Sequence, residues 1–178
     1  MPRLFTGIAI PQDVALALSL LRGGVHGARW IDEESYHLTL RFIGDVENGA
    51  ADELAAALEN TAVPGFEIQL EGIGHFGNAK PRAIWAGVMS SPELDDLQAR
   101  QERLCQQLGH DAERRKFTPH VTLARLKGRV SSFEVEEFEA RHAGFKTRAF
   151  EVCEFVLYSS RPSKGGGPYV IEETYPLA

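Results

Sequence analysis

The sequence predicts an α+β fold made of one strand–helix–strand–helix–strand unit written twice. Three observations predict it. Of the 178 residues, 43% are hydrophobic, enough to bury the core of one domain or of two small ones. Apolar residues recur with a period of two in some stretches and near 3.6 in others, in alternation along the chain. Matching residues also recur at a nearly constant offset. Gly7 matches Gly87, Pro11 matches Pro92, His37 matches His120, and Phe66 of FEI matches Phe150 of FEV, at separations of 80, 81, 83 and 84. Four matches in order with so little drift fit a duplication. The repeats span roughly 3–80 and 83–160, with a loop and strand over 161–178, inside a single domain. Such halves are expected to pack about a pseudo-two-fold axis, bringing equivalent residues together.

The elements follow in order. RLFTGIAI (3–10) is apolar and β-branched and reads as a strand. Pro11 opens a helix in which Val14, Leu18 and Leu21 share a face, and Gly23–Gly24 stop it. YHLTLRFIG (36–44) alternates and is a strand, and GAADELAAALENT (49–61) is an Ala- and Leu-rich helix. GFEIQLEGIG (65–74) is another strand, followed by a turn at Lys80–Pro81–Arg82. The order then restarts. AIWAGVM (83–89) is a strand, and 91–109 is a helix with Leu94, Leu97, Leu104, Cys105 and Leu108 on one stripe. FTPHVTLARL (117–126) is a strand with Pro119 near its start. The helix over 131–142 takes Ser131 or Ser132 as its cap. FEVCEFVLYSS (150–160) reads as a single strand and YVIEETYPL (169–177) as the last one.

Composition narrows the function. The net charge of −6 argues against a protein that coats nucleic acid through a broad basic surface, while leaving room for a small pocket holding one phosphate. Cys105 and Cys153 lack metal-ligand spacing and are expected to be free thiols in a reducing compartment. The N-terminal apolar run is too short for a signal peptide, and no stretch approaches the roughly 20 residues that cross a bilayer. A cytoplasmic, monomeric protein without membrane contact is expected.

Within the repeat, HLTL (37–40) returns as HVTL (120–123). Strand alternation puts His37, Thr39 and Arg41 on one face, with Leu38, Leu40 and Phe42 on the other. In the second copy His120 and Thr122 share a face, opposed by Val121 and Leu123. A single His-x-Thr is most simply a solvated strand face. Two copies in register within a duplicated chain instead point to one site assembled from both halves. Histidine titrates near neutral pH, so one imidazole can act as base while the other acts as acid. Placed on either side of a phosphorus atom, one can activate water and the other can protonate the departing oxygen. The threonine hydroxyls can donate to the phosphoryl oxygens. No metal or cofactor is required. The metal alternative lacks a His-x-x-x-His pair or a carboxylate at ligand spacing, and threonine is a poor zinc ligand.

The sequence resembles the two-histidine phosphoesterases, specifically the RNA 2′,3′-cyclic phosphodiesterases also called 2′-5′ RNA ligases. The resemblance runs nearly the whole chain, through RLFTGIAIP, HLTLRFIGDV, PRAIWAGV, FTPHVTLARL and VLYSSRPSKGGGPYVIEETYPL. Its diagnostic part is the pair of His-apolar-Thr-apolar motifs, both intact. The resemblance implies a bilobal α+β fold, with an antiparallel sheet in each lobe, helices outside and a central groove. It implies hydrolysis of a 2′,3′-cyclic phosphate, on an RNA end or small nucleotide, to a 2′-phosphomonoester. By this resemblance His37 is the proton donor to the leaving 3′ oxygen, His120 the proton acceptor that activates water, and Thr39 and Thr122 the phosphate-holding hydroxyls. Arg125 maps to a position that helps neutralise the phosphate. By alternation Arg125 lies opposite His120, so its arrival at the site needs a strand end or a bulge. Sister activities on the same site are 2′-5′ ligation and cleavage of 2′,5′-oligonucleotides. A non-catalytic RNA-end-binding module would need no such acid and base.

His26, His75, His110 and His142 lack a threonine partner and read as structural or surface residues. Tyr36, Phe42 and Trp85 are candidates for stacking on a base, although Phe42 and Trp85 read more simply as core. SSRPSKGGGP (159–168) is either a basic flap carrying Arg161 and Lys164 over the RNA end or a plain Gly-rich connection.

Overall fold

The computed structural model describes residues 1–160 and 169–178. The flap expected over 161–168, with Arg161 and Lys164, lies outside the described residues. The chain runs β1 (Arg3–Ala9), α1 (Gln12–Ser19), β2 (Ala28–Trp30), β3 (His37–Asp45), α2 (Asn48–Ala57), β4 (Phe66–Phe76) and β5 (Ala83–Val88). It continues through α3 (Pro92–Gln107), β6 (His120–Leu126), α4 (Ser132–Arg141), β7 (Lys146–Val152), β8 (Glu154–Ser160) and β9 (Tyr169–Pro176). Three of the helices, α1, α3 and α4, start where the sequence supplies acceptors or fixed backbone. Ser91 and Ser131 accept the amides of Leu94 and Glu134 at the heads of α3 and α4, and Pro92 occupies the first turn of α3.

All strand pairs are antiparallel, in the order β7-β4-β5-β6-β3-β1-β8-β9, with β2 alongside β6. This is a mixed α+β fold with an antiparallel sheet and, among the described residues, four α-helices. The core lies on the face opposite the motif histidines. There Leu38, Leu40, Val121 and Leu123 join Leu18, Leu54, Leu94, Leu97 and Phe138 in one apolar cluster. At roughly 1.5–3 kcal/mol for each large apolar side chain, this burial is the main term holding the sheet to its helices.

Two features depart from the sequence reading. The stretch FEVCEFVLYSS is two strands, broken at the exposed Cys153. β7 pairs β4 at one edge of the sheet, while β8 pairs β1 near the other. The apolar run continues across the break because both strands are buried on at least one face, so hydropathy alone cannot locate it. The helical stripe of α3 also includes a polar member, Gln101. It is fully buried and accepts from the Thr6 hydroxyl at 2.6 Å.

Sheet order does not follow chain order. β4 lies between β5 and β7, both from the second repeat, and β8 lies beside β1 from the first. Helices cross over as well: α1 packs on β7, tied by Asp13 to Arg148 at 2.6 and 2.8 Å, and α3 packs on β3.

Candidate active site

β3 and β6 pair directly at one position, Leu38 opposite Val121. Antiparallel strands step in opposite directions from such a pair, so His37 lies beside Thr122 and Thr39 beside His120. The four motif residues therefore form a four-cornered cluster on one face, with the histidines on a diagonal. Leu38 and Val121 are fully buried beneath it. Among the described residues the β3–β6 ladder goes no further than this pair.

The two imidazoles are held in matching ways. His37 Nδ1 lies 2.9 Å from the Ser35 carbonyl, and His120 Nδ1 lies 2.6 Å from the Thr118 carbonyl. A carbonyl can only accept, so Nδ1 carries the hydrogen in both rings and Nε2 is left as the reactive nitrogen. Each ring sits in an aromatic cup. Phe5 and Tyr169 lie 5.0 and 4.9 Å from His37, with Tyr158 at 5.8 Å. Phe76 and Trp85 lie 4.8 and 6.1 Å from His120.

These surroundings disfavour charge. Burial pushes the His37 imidazole down to about 4 against the opposing Ser35 carbonyl, with Arg125 and His120 lowering it further. Burial, and then Arg125, also lower His120. Burial pushes the Tyr158 phenol up to about 12, so it stays neutral beside His37.

Close packing at glycine lets the cups form. A Cβ on Gly7 would come within 2.8 Å of the Leu38 carbonyl oxygen and 3.3 Å of the Tyr158 ring. A Cβ on Gly74 would lie 2.4 Å from the Trp85 indole, which therefore lies flat across that glycine.

Both motif strands bulge at the same place. On β1, Thr6 pairs Arg41 and Gly7 pairs Thr39, which leaves Leu40 as an extra residue. On β5, Ile84 pairs Ala124 and Trp85 pairs Thr122, which leaves Leu123 extra. A bulge flips the alternation beyond it. Arg125 is thereby turned onto the histidine face. It sits near enough to lower both imidazoles, and its Nε is buried without a partner among the described residues. The bulge that Arg125 required is present.

The same device corrects the reading of β3. Arg41 does not share the face of His37: it is 5% exposed, bonded to Glu102 and to the carbonyls of Phe42 and Asp111. Phe42 is not core but 46% exposed on the histidine side. It stands five residues after His37, as Arg125 stands five after His120. Sequence reasoning missed Phe5 and Tyr169; only their cross-strand positions reveal them. Away from the site, His26 bonds Glu134 and His75 bonds Glu139, as expected of structural or surface histidines. Among the described residues no group of three His, Cys, Asp or Glu side chains is placed to hold a metal ion, and no helix is long and apolar enough to cross a membrane.

Comparison with known proteins places this geometry in a family. The chain is 32% identical over 90% of its length to an RNA 2′,3′-cyclic phosphodiesterase of Geobacillus stearothermophilus, spanning 52% of that longer protein. It is 30% identical over 95% of its length to the Thermotoga maritima RNA 2′,3′-cyclic phosphodiesterase, of which it covers 92%. The crystal structure of Escherichia coli LigT complexed with 3′-AMP matches 99% of both chains with a TM-score of 0.79 at 24% identity, a likeness of fold. The profile of the 2′-5′ RNA ligase superfamily matches residues 11–163. With both motifs intact and the match running through most of its length, the chain belongs to the 2′-5′ RNA ligase superfamily.

Proposed function

We propose that the protein hydrolyses 2′,3′-cyclic phosphates at RNA ends or on small nucleotides, giving 2′-phosphomonoesters without a metal or cofactor. The observation that carries this reading is the four-cornered cluster, with two Nδ1-anchored histidines on one diagonal and two threonines on the other. In the reaction, water attacks phosphorus and gives its proton to Nε2 of His120. The bond from phosphorus to the 3′ oxygen breaks, and that oxygen takes a proton from His37. Thr39 and Thr122 donate to the phosphoryl oxygens, where negative charge gathers, and Arg125 offsets that charge. In the free protein both imidazoles are neutral near pH 7. The incoming phosphate brings negative charge between them, which favours the protonated form and supplies the acid.

The same chemistry supports a second reading, favoured by the name of the matching family. If a 5′-hydroxyl replaces water as nucleophile, breaking the same bond joins two RNA ends through a 2′-5′ linkage. We place the protein in the cytoplasm as a monomer. In support, Cys105 and Cys153 are unpaired, and one chain supplies the whole cluster.

The test is product analysis on RNA with defined ends, with and without excess chelator. A 2′-phosphate formed equally in both is the expected result. A 3′-phosphate would refute the assignment of the broken bond. Loss of activity in chelator that returns on adding a divalent ion would refute the metal-free mechanism.

A further inference from the structure

The centre of the site is nearly symmetric, but its two flanks are not. Asp32 and Glu33 precede His37 by five and four residues; Arg115 and Lys116 precede His120 by the same spacings. These segments occupy corresponding places beside the opposite motif strand. Residues 28–30 pair along β6, while Asp111 accepts from Arg41 of β3. Each segment lines a cleft that opens beside its own histidine. The cleft beside His37 measures about 1030 Å³ and, among the described residues, carries four carboxylates, Asp13, Asp32, Glu33 and Glu34, against Arg29. The cleft beside His120 measures about 240 Å³ and reverses the count, with Arg41, Arg82, Arg115 and Lys116 against Glu113.

Size alone would send a nucleic acid into the larger cleft; the charge of its described lining opposes that. Phosphate contacts dominate the affinity of nucleic acids, and cations strengthen them where carboxylates repel. Arg82 and Lys116 are exposed and form no ion pair among the described residues. The smaller cleft also carries Phe42, Phe76 and Phe117. Cations interleaved with aromatic rings are what single-stranded RNA binds: backbone on the charges, bases on the rings.

We infer that RNA enters this near-symmetric centre in one orientation: the terminal ribose stays at His37 through its 3′ oxygen, and the nucleotides 5′ of it turn over Thr39 onto the Phe42–Phe76–Phe117 cleft, with their phosphates on Arg82 and Lys116. The acidic cleft beside His37 keeps the polyanion out. The inference rests on the cyclic-phosphodiesterase reading and sharpens its substrate to the end of a single-stranded oligonucleotide. Phe42 and Arg125, five residues beyond the two histidines, then divide the labour, one holding a base and the other the reacting phosphate.

The test compares kcat/KM on a 2′,3′-cyclic mononucleotide and on a short single-stranded RNA ending in the same group, across a salt series. The wild-type protein should prefer the oligomer by about tenfold or more. That preference should fall with salt at a log–log slope of about −1.4 for two phosphates held. The double variant Arg82→Glu/Lys116→Glu should lose the preference and flatten the slope. Phe42→Ala should lower the oligomer-to-mononucleotide ratio by about 5- to 150-fold, the worth of one stacked base. A ratio unchanged in the double variant, or a wild-type protein without preference, would overturn the inference. A wild-type protein inactive on both substrates would instead defeat the cyclic-phosphodiesterase reading itself, so the two failures are distinguishable.

Discussion

Leu40 and Leu123, 83 residues apart, are both bulged residues, each an extra place in its strand that the neighbouring strand does not match. The last residue of each four-residue motif therefore serves geometry rather than chemistry. It lets the strand present His and Thr on one face and then turn the residue two places further on, Phe42 or Arg125, onto that same face.

If the diagonal imidazoles are the acid and the base, His37→Ala and His120→Ala should each lower kcat on a cyclic nucleotide by about 10²- to 10⁴-fold. Far-UV circular dichroism should show an unchanged fold. Near-wild-type turnover in either variant would remove that histidine from the mechanism.

Arg125 lowers both imidazoles, so its loss should be visible in pH as well as in rate. We expect a bell-shaped profile of kcat/KM for the wild-type protein, with its acidic limb below pH 6.5. Removing the cation favours the protonated rings, so Arg125→Ala should move the limbs to higher pH while reducing kcat/KM by about 10- to 100-fold (about 1.4–2.7 kcal/mol). Arg125→Lys should restore the limbs more fully than the rate, since a lysine returns the charge without the planar fork. A rate loss with an unmoved profile would mean that Arg125 acts by packing alone.

His37 should also make the fold acid-sensitive. Its folded value, about 4, lies below its ordinary 6.5, so the unfolded chain binds more protons between those values. Its contribution to stability is therefore present above pH 6.5 and lost as pH falls toward 4. Between pH 8 and pH 5 the wild-type protein should lose about 2 kcal/mol more than His37→Gln. Urea unfolding at the two pH values measures this, and equal losses in the two proteins would contradict the burial of the ring.

Gly7→Ala tests how tightly fold and site are joined. The added methyl meets the backbone carbonyl of Leu38, which cannot swing aside without moving the motif strand. A cost of about 1–3 kcal/mol is expected in thermal or denaturant unfolding, together with reduced turnover. A variant as stable and active as the wild type would show that β1 and β3 have slack there.

Much of this was legible in the sequence, for identifiable reasons. The motifs stood out because two rigid strands must each carry the same chemical pair, and the helices because apolar period, caps and glycine stops agree. The faces of Arg41 and Phe42 were misread because a bulge adds one residue without changing composition, so alternation carried past Leu40 comes out inverted. For Arg125 the same rule raised the need for a bulge, but only strand register could locate it at Leu123. The break at Cys153 and the cup of Phe5 and Tyr169 around His37 depend on which strands become neighbours, and local pattern does not encode that.

The crossed strand order has a consequence for how the molecule can move and how it can be divided. A cut at the Lys80–Pro81 turn would leave β4 without both of its neighbours and strip β8 from β1, so neither fragment would keep a complete sheet. The chain is laced across its repeats, yet among the described residues the runs β7-β4-β5-β6 and β3-β1-β8-β9 meet as strands only at the Leu38–Val121 pair. The gap between the histidines therefore widens by flexing at that one seam, with every other strand pairing kept.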